Sequence, residues 1–200
     1  MNAAYLKYLL RITMTNPRQA GREVIALGLP LQGLWMALML MAILLSLMVS
    51  GVFHGAPLPP GAMGDAIRMS PAYHSPLIFA VINWGQAVMS VFVLHWIGRM
   101  FGGQGTLGDM LAVMIWLQFV SLVLAAVLFV AGLIVPVAGG VLTLMALAWG
   151  LWATVALVDA ANRFDNIFKA LGVCLAAVVA FSVGITLFSA VLGGLSMGGG

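Results

Sequence analysis

Residues 110–158 read MLAVMIWLQFVSLVLAAVLFVAGLIVPVAGGVLTLMALAWGLWATVALV and contain no charged side chain. A helix needs only about 20 residues to cross the roughly 30 Å hydrocarbon core of a bilayer, so this run is too long for one crossing. Pro136, Gly139 and Gly140 interrupt it where a tight hairpin is required. The stretch therefore predicts two membrane-spanning helices joined by a short turn.

The composition of the whole chain agrees with that reading. Of the 200 residues, 64% are hydrophobic and only 6% are charged, and the mean hydropathy is +1.16. Because a soluble domain carries about 25% charged residues, this chain cannot build a water-facing surface. Eight Lys and Arg against five Asp and Glu reflect a scarcity of acids and no basic patch, so we expect no nucleic-acid partner.

Three further apolar stretches complete an all-α fold, a polytopic transmembrane bundle of five helices. The predicted spans are residues 31–53, 76–98, 107–135, 136–158 and 168–192. They divide the chain into an N-terminal arm (1–30), a five-helix domain (31–192) and a short, flexible, glycine-rich tail (193–200). The first long apolar run has full span length and no small-residue cleavage site after it, so no signal peptide is expected.

The distribution of cations predicts the orientation. Seven Lys and Arg flank one side of the spans, and Arg68 alone lies on the other. By the positive-inside rule, the N-terminus is cytoplasmic and the C-terminus lies outside.

The arm carries pairs of cations one helical turn apart. Asn16 and Pro17 are typical of a helix start, and Gly28 with Pro30 ends that helix. We expect an amphipathic helix in the headgroup layer, or alternatively a docking site for a cytoplasmic protein or an anionic lipid. The predicted membrane-surface residues are Lys7, Arg11, Arg18 and Arg22.

Polar side chains interrupt two of the spans. Asn83, Gln86 and Ser90 share one face of the second span, and Gln118 lies in the third. They either join neighbouring helices by hydrogen bonds or line a polar path. The absence of Asp, Glu, Lys and Arg near the midplane favours the first alternative.

The fifth span has a small residue at every fourth position. Such a row lets another helix approach closely, in this chain or in a second copy. The predicted helix-packing seam consists of Gly172, Ala176, Ala180 and Gly184.

No arrangement of residues indicates catalysis, a metal site or a cofactor. His54, His74 and His95 are scattered, and Ser90 lies on the same helix as His95. The turn containing Gly102, Gly103 and Gly105 lacks the Lys-Ser/Thr of a phosphate-binding loop.

The loops on the cytoplasmic side show two further patterns. Thr106 and Asp109 resemble a capping box at the start of the third span. Arg99 lies in the loop before that span, and the fourth and fifth spans are joined by a link with two acids and two bases, which either pair locally or form a contact surface. The candidate residues of this link are Asp159, Arg163 and Lys169, with Asp165 between them.

The second half of the chain resembles the Yip family of five-span membrane proteins. The resemblance rests on IGRMFGGQGT at 97–106, Trp116-Leu-Gln118, Trp149-Gly-Leu-Trp152, AANRF at 160–164 and Phe168-Lys-Ala170. It covers roughly residues 17–190, with its specific part at 95–172. Eukaryotic members bind Rab GTPases through longer cytoplasmic N-terminal regions, so the short arm here departs from them. The resemblance implies the short bacterial branch, a bacterial inner membrane and a poorly defined activity.

These features together predict a non-enzymatic, multi-pass membrane protein. It would act as a scaffold or membrane-organising component, in contact with the lipid bilayer and with other membrane proteins or a second copy. The alternative is a small transporter or channel lined by Asn83, Gln86, Ser90 and Gln118.

Overall fold

The computed structural model describes residues 2–55, 58–134 and 136–197, and this part of the chain contains helices and turns but no strand. The helices are α1 (Ala3–Thr15), α2 (Pro17–Ala26), α3 (Leu31–Gly55), α4 (Ala62–Met69), α5 (Pro71–His74), α6 (Pro76–Met100), α7 (Leu107–Ile134), α8 (Pro136–Asn162) and α9 (Ile167–Met197). The all-helical fold class is thereby confirmed.

Five of these helices, namely α3, α6, α7, α8 and α9, are long and apolar enough to cross a membrane. They coincide with the five predicted spans. Their surfaces carry large apolar side chains such as Leu77, Ile134 and Leu151, each more than 70% exposed. Such exposure suits side chains that are solvated by lipid, since lipid tails are as apolar as leucine.

One predicted turn and one predicted boundary differ from the structure. Helix α8 begins at Pro136, as predicted, but the expected turn glycines Gly139 and Gly140 lie within it. Proline at the first helical position has a suitable φ and lacks an N–H that would go unbonded, so the break comes before it. Helix α9 continues through Met197, into the segment expected to be a tail, because no proline ends it; residues 198–200 lie outside the described residues.

The helices pack around a core that lies mostly towards one end of the bundle. Helix α3 contacts α6 and α7, α8 packs between α7 and α9, and α9 also contacts α6. The buried side chains concentrate near the ends of the long helices that meet the arm, at Leu34, Leu94, 110–113, 156–162 and Ala170. The arm therefore lies against the best-packed part of the molecule.

The arm consists of α1 and α2, and it packs on the bundle. Leu9, Thr13 and Ala20 are fully buried. A Cβ on Gly21 would lie 2.9 Å from the Cβ of Ala160, so this glycine allows α2 to approach α8 closely. Lys7 lies on the exposed face of α1, and contact of that face with lipid headgroups stays a prediction.

At the opposite end of the bundle, α4 and α5 cover the end of α3. The Ser50 hydroxyl donates a hydrogen bond of 2.6 Å to the Ala72 carbonyl. The rings of His54 and Tyr73 stack at 4.6 Å. These contacts fix the loop between the first two spans.

Candidate functional site

Three segments meet at the end of the bundle that carries the arm. They are the arm itself, the turn between α6 and α7 with its flanking helix ends (99–109), and the link between α8 and α9 with its flanking helix ends (159–169). We call their combined surface the arm face. It brings together the predicted residues of the arm and of the loops.

The glycine-rich turn is shaped by its packing against the end of α8. Gly102 has a φ of +84°, and the Gly103 N–H donates to the Gly98 carbonyl at 2.8 Å, which is a Schellman ending of α6. The Gln104 N–H then donates to the Asn162 carbonyl at 2.9 Å. A Cβ on Gly105 would collide with the Ala161 carbonyl. These glycines thus allow the backbone of the turn to approach the end of α8 closely.

The capping box at the start of α7 is confirmed. The Asp109 N–H donates to the Thr106 hydroxyl at 3.1 Å, and the Thr106 N–H donates to the Asp109 carboxylate at 3.0 Å. The same carboxylate receives the Arg163 guanidinium at 3.2 Å. Asp109 therefore connects the α7 start with the link after α8.

Asp159 is the buried acid at the α8 end of the link. Its carboxylate is 1% exposed and lies 2.5 Å from Arg18 Nε of the arm. The other carboxylate oxygen accepts the Asn166 N–H at 3.1 Å. One side chain thus holds α8, the start of α9 and the arm together.

Asp165 forms a second pair of contacts with the arm. Its carboxylate accepts from Arg18 Nη2 at 2.7 Å and also from Arg22. Residues Arg163 and Asp165 have φ values of 57° and 52°, so the link turns back sharply between α8 and α9. The acids of the link therefore face α2.

The expectation of local pairing within the link is wrong. Among the described residues, Asp159 and Asp165 pair with Arg18 and Arg22 of the arm. These two arginines lie one turn apart on the side of α2 that meets the link, and their contact with the membrane surface stays a prediction. The pairing joins residues more than 140 positions apart in sequence, which charge spacing along the chain cannot reveal.

The remaining cations of the arm face point outward. Lys7, Arg11, Arg99 and Lys169 are exposed, and among the described residues none of them has an acidic partner within ion-pair distance. The nearby Glu23 accepts a 3.3 Å hydrogen bond from Tyr5. Partial burial, reinforced by this carboxylate, raises the pKa of the Tyr5 phenol. The outward charge of the arm face is therefore positive.

Two tryptophans form hydrogen bonds with residues of α1, the first arm helix. Trp116 Nε1 donates to the Thr13 hydroxyl at 3.0 Å, and Trp149 Nε1 donates to the Met14 carbonyl at 3.3 Å. Residue spacing did not indicate these contacts, because they join residues 103 and 135 positions apart in sequence. The available signal was chemical, since a buried indole N–H usually finds an acceptor.

The four intramembrane polar residues line one open-sided cavity of about 450 Å³ between α3, α6, α7 and α9. Asn83 Nδ2 donates to the Ser46 hydroxyl of α3 at 2.9 Å. The Ser90 hydroxyl donates to the Gln86 carbonyl of its own helix at 2.8 Å. Gln86 and Gln118 complete the polar lining. The structure thus contains both an interhelical hydrogen bond and a shared polar space.

The predicted seam of α9 is packed within the chain at its first position alone. A Cβ on Gly172 would lie 3.3 Å from the Phe101 ring, whereas nothing described lies within 4 Å of one on Gly184. Ala176 is partly exposed and Ala180 is exposed. Helix α9 instead buries Ala170, Val173 and Ala177, so packing of the seam against a second copy stays a prediction.

The described residues hold no group of three or more His, Cys, Asp or Glu that could bind a metal ion. What they do define is a multi-pass helical membrane protein with five apolar helices and an arm packed on one end.

The Yip1 domain matches residues 12–192, and the chain belongs to this family. The match confirms the resemblance found in the sequence. No curated protein and no solved structure matches the chain. The family is in general a non-catalytic membrane family.

Proposed function

We propose that this protein is a non-enzymatic scaffold of a bacterial inner membrane, and that its arm face holds another protein at the cytoplasmic surface. The observation that carries the proposal is the way the arm face is built. Buried and partly buried ion pairs join the arm to the link, and the Asp109–Arg163 pair joins the link to α7. The result is an ordered platform made from parts of the chain that are distant in sequence.

The charge of the arm face supports a role in binding another protein. Asp109, Asp159 and Asp165 are paired with arginines of the same face. By contrast, Lys7, Arg11, Arg99 and Lys169 are exposed and have no acidic partner among the described residues. Exposed cations on an ordered surface attract an acidic partner and help to orient it. The partner that suits this surface is a protein with an acidic segment.

The same cations support the orientation. All cations of the arm face lie on one side of the bundle, and Arg68 lies in α4 on the other. The positive-inside rule then assigns the arm face to the cytoplasm.

The test is native extraction of the tagged protein into lipid discs, followed by mass spectrometry of what accompanies it. We expect a stoichiometric protein companion. Charge reversal at two free cations, Arg99→Glu and Lys169→Glu, should release it, because the attraction to an acidic partner becomes repulsion.

Arg68→Glu is the matched control, since it reverses an exposed cation on the opposite face and should keep the companion. Variants are compared only if their thermal unfolding midpoints match the wild type. Isolation of the protein with lipid alone would contradict the proposal, as would equal retention of the companion by all three variants.

A further inference from the structure

The polar cavity between α3, α6, α7 and α9 lies deep in the membrane-spanning region. Asn83 is seven residues beyond the start of α6 and Gln118 is eleven beyond the start of α7. At 1.5 Å per residue, these positions are about 10 Å and 16 Å along their helices. The cavity is therefore close to the middle of the spans, away from the arm face.

Part of the polar lining of this cavity has no hydrogen-bond partner among the described residues. The Gln118 Oε1 atom is buried and accepts no hydrogen bond from any described residue. Gln86 lines the cavity and is exposed, and no described residue bonds to its carboxamide. Polar groups at this depth are costly in hydrocarbon unless they are hydrogen-bonded. Water or a bound molecule would supply the missing partners.

The lining is uncharged. Asn83, Gln86, Ser90 and Gln118 offer amide and hydroxyl groups, and the remaining wall is apolar, as at Leu45 and Phe181. A charged ligand would lose its hydration here without gaining a counter-charge. A neutral ligand with several hydroxyl or amide groups can satisfy both the donors and the acceptors.

We infer that this cavity is a hydrated binding site for a neutral, hydrogen-bonding small molecule of the polyol or amide class. Its volume of about 450 Å³ suffices for on the order of ten waters at about 30 Å³ each. It also suffices for a molecule the size of glycerol or urea with some remaining water. This site is independent of the arm face and of the scaffold proposal.

The test uses single cysteines in a Cys174→Ala background and a small, water-soluble methanethiosulfonate reagent. The cysteine thiolate attacks the sulfenyl sulfur of the reagent, forms a mixed disulfide and releases methanesulfinate. The thiolate forms readily only where water surrounds the sulfur. We expect Gln86→Cys, Ser90→Cys and Gln118→Cys to react at least tenfold faster than Ile82→Cys and Met89→Cys. The latter two are apolar, exposed positions of the same helix at similar depth, and they serve as matched controls.

Ligand binding is tested with glycerol and with urea as the probes. Each should slow the labelling of Ser90→Cys at least threefold at saturating concentration. Neither should slow Arg99→Cys, which lies on the arm face outside the cavity. Ser90→Cys replaces one small side chain with another of similar size. This variant therefore still tests the proposal if Gln86→Cys or Gln118→Cys fails to fold.

Three results would overturn the inference. Equally slow labelling of all five positions would show a dry cavity. Disulfide-linked dimers formed by Gln86→Cys would show that the cavity is an interface between copies. Labelling that is fast but insensitive to both glycerol and urea would show water without a site for this class of ligand.

Discussion

At the scale of single residues, Asp159 carries the densest set of contacts on the arm face. It is 1% exposed and meets both an arginine of the arm and a backbone N–H of the α9 start. A buried carboxylate without its cation is strongly unfavourable. The stability of the arm face should therefore depend on Arg18 far more than on the exposed arginines.

The first prediction follows from this pair. Arg18→Gln should lower the free energy of unfolding by about 2–3 kcal/mol, below the roughly 3–5 kcal/mol of fully buried pairs, since Arg18 is 35% exposed. Thermal unfolding in detergent measures the effect. Asp159→Asn added to Arg18→Gln should restore part of it, because a neutral carboxamide keeps an acceptor for Asn166. Arg11→Gln is the control, and equal midpoints for the two arginine variants would contradict the prediction.

The second prediction concerns two glycines three residues apart. Gly105→Ala places a Cβ against the Ala161 carbonyl, which is backbone, whereas the nearest atom to a Cβ at Gly108 is 3.6 Å away. Gly105→Ala should cost about 1–3 kcal/mol through overpacking. Gly108→Ala should be neutral or stabilising, since alanine is preferred over glycine in helices by about 1 kcal/mol. Equal unfolding midpoints for the two variants would show that the turn does not need its glycine.

At this scale the sequence was only partly informative. The Thr106–Asp109 cap could be predicted, because both partners lie within one helical turn. The partners of Asp159 and Asp165 could not, because they are on the arm and their approach depends on how α2 packs on α8. Gly105 could be assigned to a turn, but the carbonyl that excludes a side chain there comes from another helix.

At the scale of elements, the arm shows the largest difference between the expected surroundings and the observed ones. Its helices were expected to lie on the membrane surface, and the structure packs them against α7 and α8 through Leu9, Thr13, Gly21 and their neighbours. Helical periodicity predicts an apolar and a charged face for the arm. It could not say whether the apolar face meets lipid or protein, since both are apolar surroundings.

The third prediction tests how α1 is held. Trp116→Phe removes the indole N–H that bonds to Thr13, a contribution of about 1 kcal/mol, and should loosen α1. Trypsin should then cleave after Arg11 at least twofold faster in lipid discs. Trp96→Phe is the control, because Trp96 is 72% exposed. An unchanged cleavage rate in the Trp116→Phe variant would show that this hydrogen bond does not hold α1 on the bundle.

The spanning helices were predictable from hydropathy alone, because lipid requires long apolar segments wherever the chain crosses. Their ends agree with the prediction within a few residues. The exception is the end of α9, which continues beyond residue 192 and depends on local backbone preferences and not on hydrophobicity. Which face of α9 is buried was not predictable, since Gly172, Ala176 and Ala177 are all small enough to pack.

At the scale of the whole molecule, an odd number of spans predicts that the two ends of the bundle lie on opposite sides of the membrane. The fourth prediction gives their direction. In a Cys174→Ala background, a membrane-impermeant maleimide applied to intact spheroplasts should label Met63→Cys in α4, which is 71% exposed. It should not label Asn2→Cys until the membrane is permeabilised. The reverse pattern would contradict the cytoplasmic assignment of the arm face.

We conclude that the arm is a fixed part of the folded bundle, and hydrogen–deuterium exchange in lipid discs tests this conclusion. We predict that amides 9–24 exchange as slowly as those of 110–113, and that Arg18→Gln accelerates exchange in the arm while Arg11→Gln does not. An arm that exchanges rapidly in the wild type would contradict the claim. So would an arm whose protection is indifferent to Arg18, because its protection would then come from lipid alone.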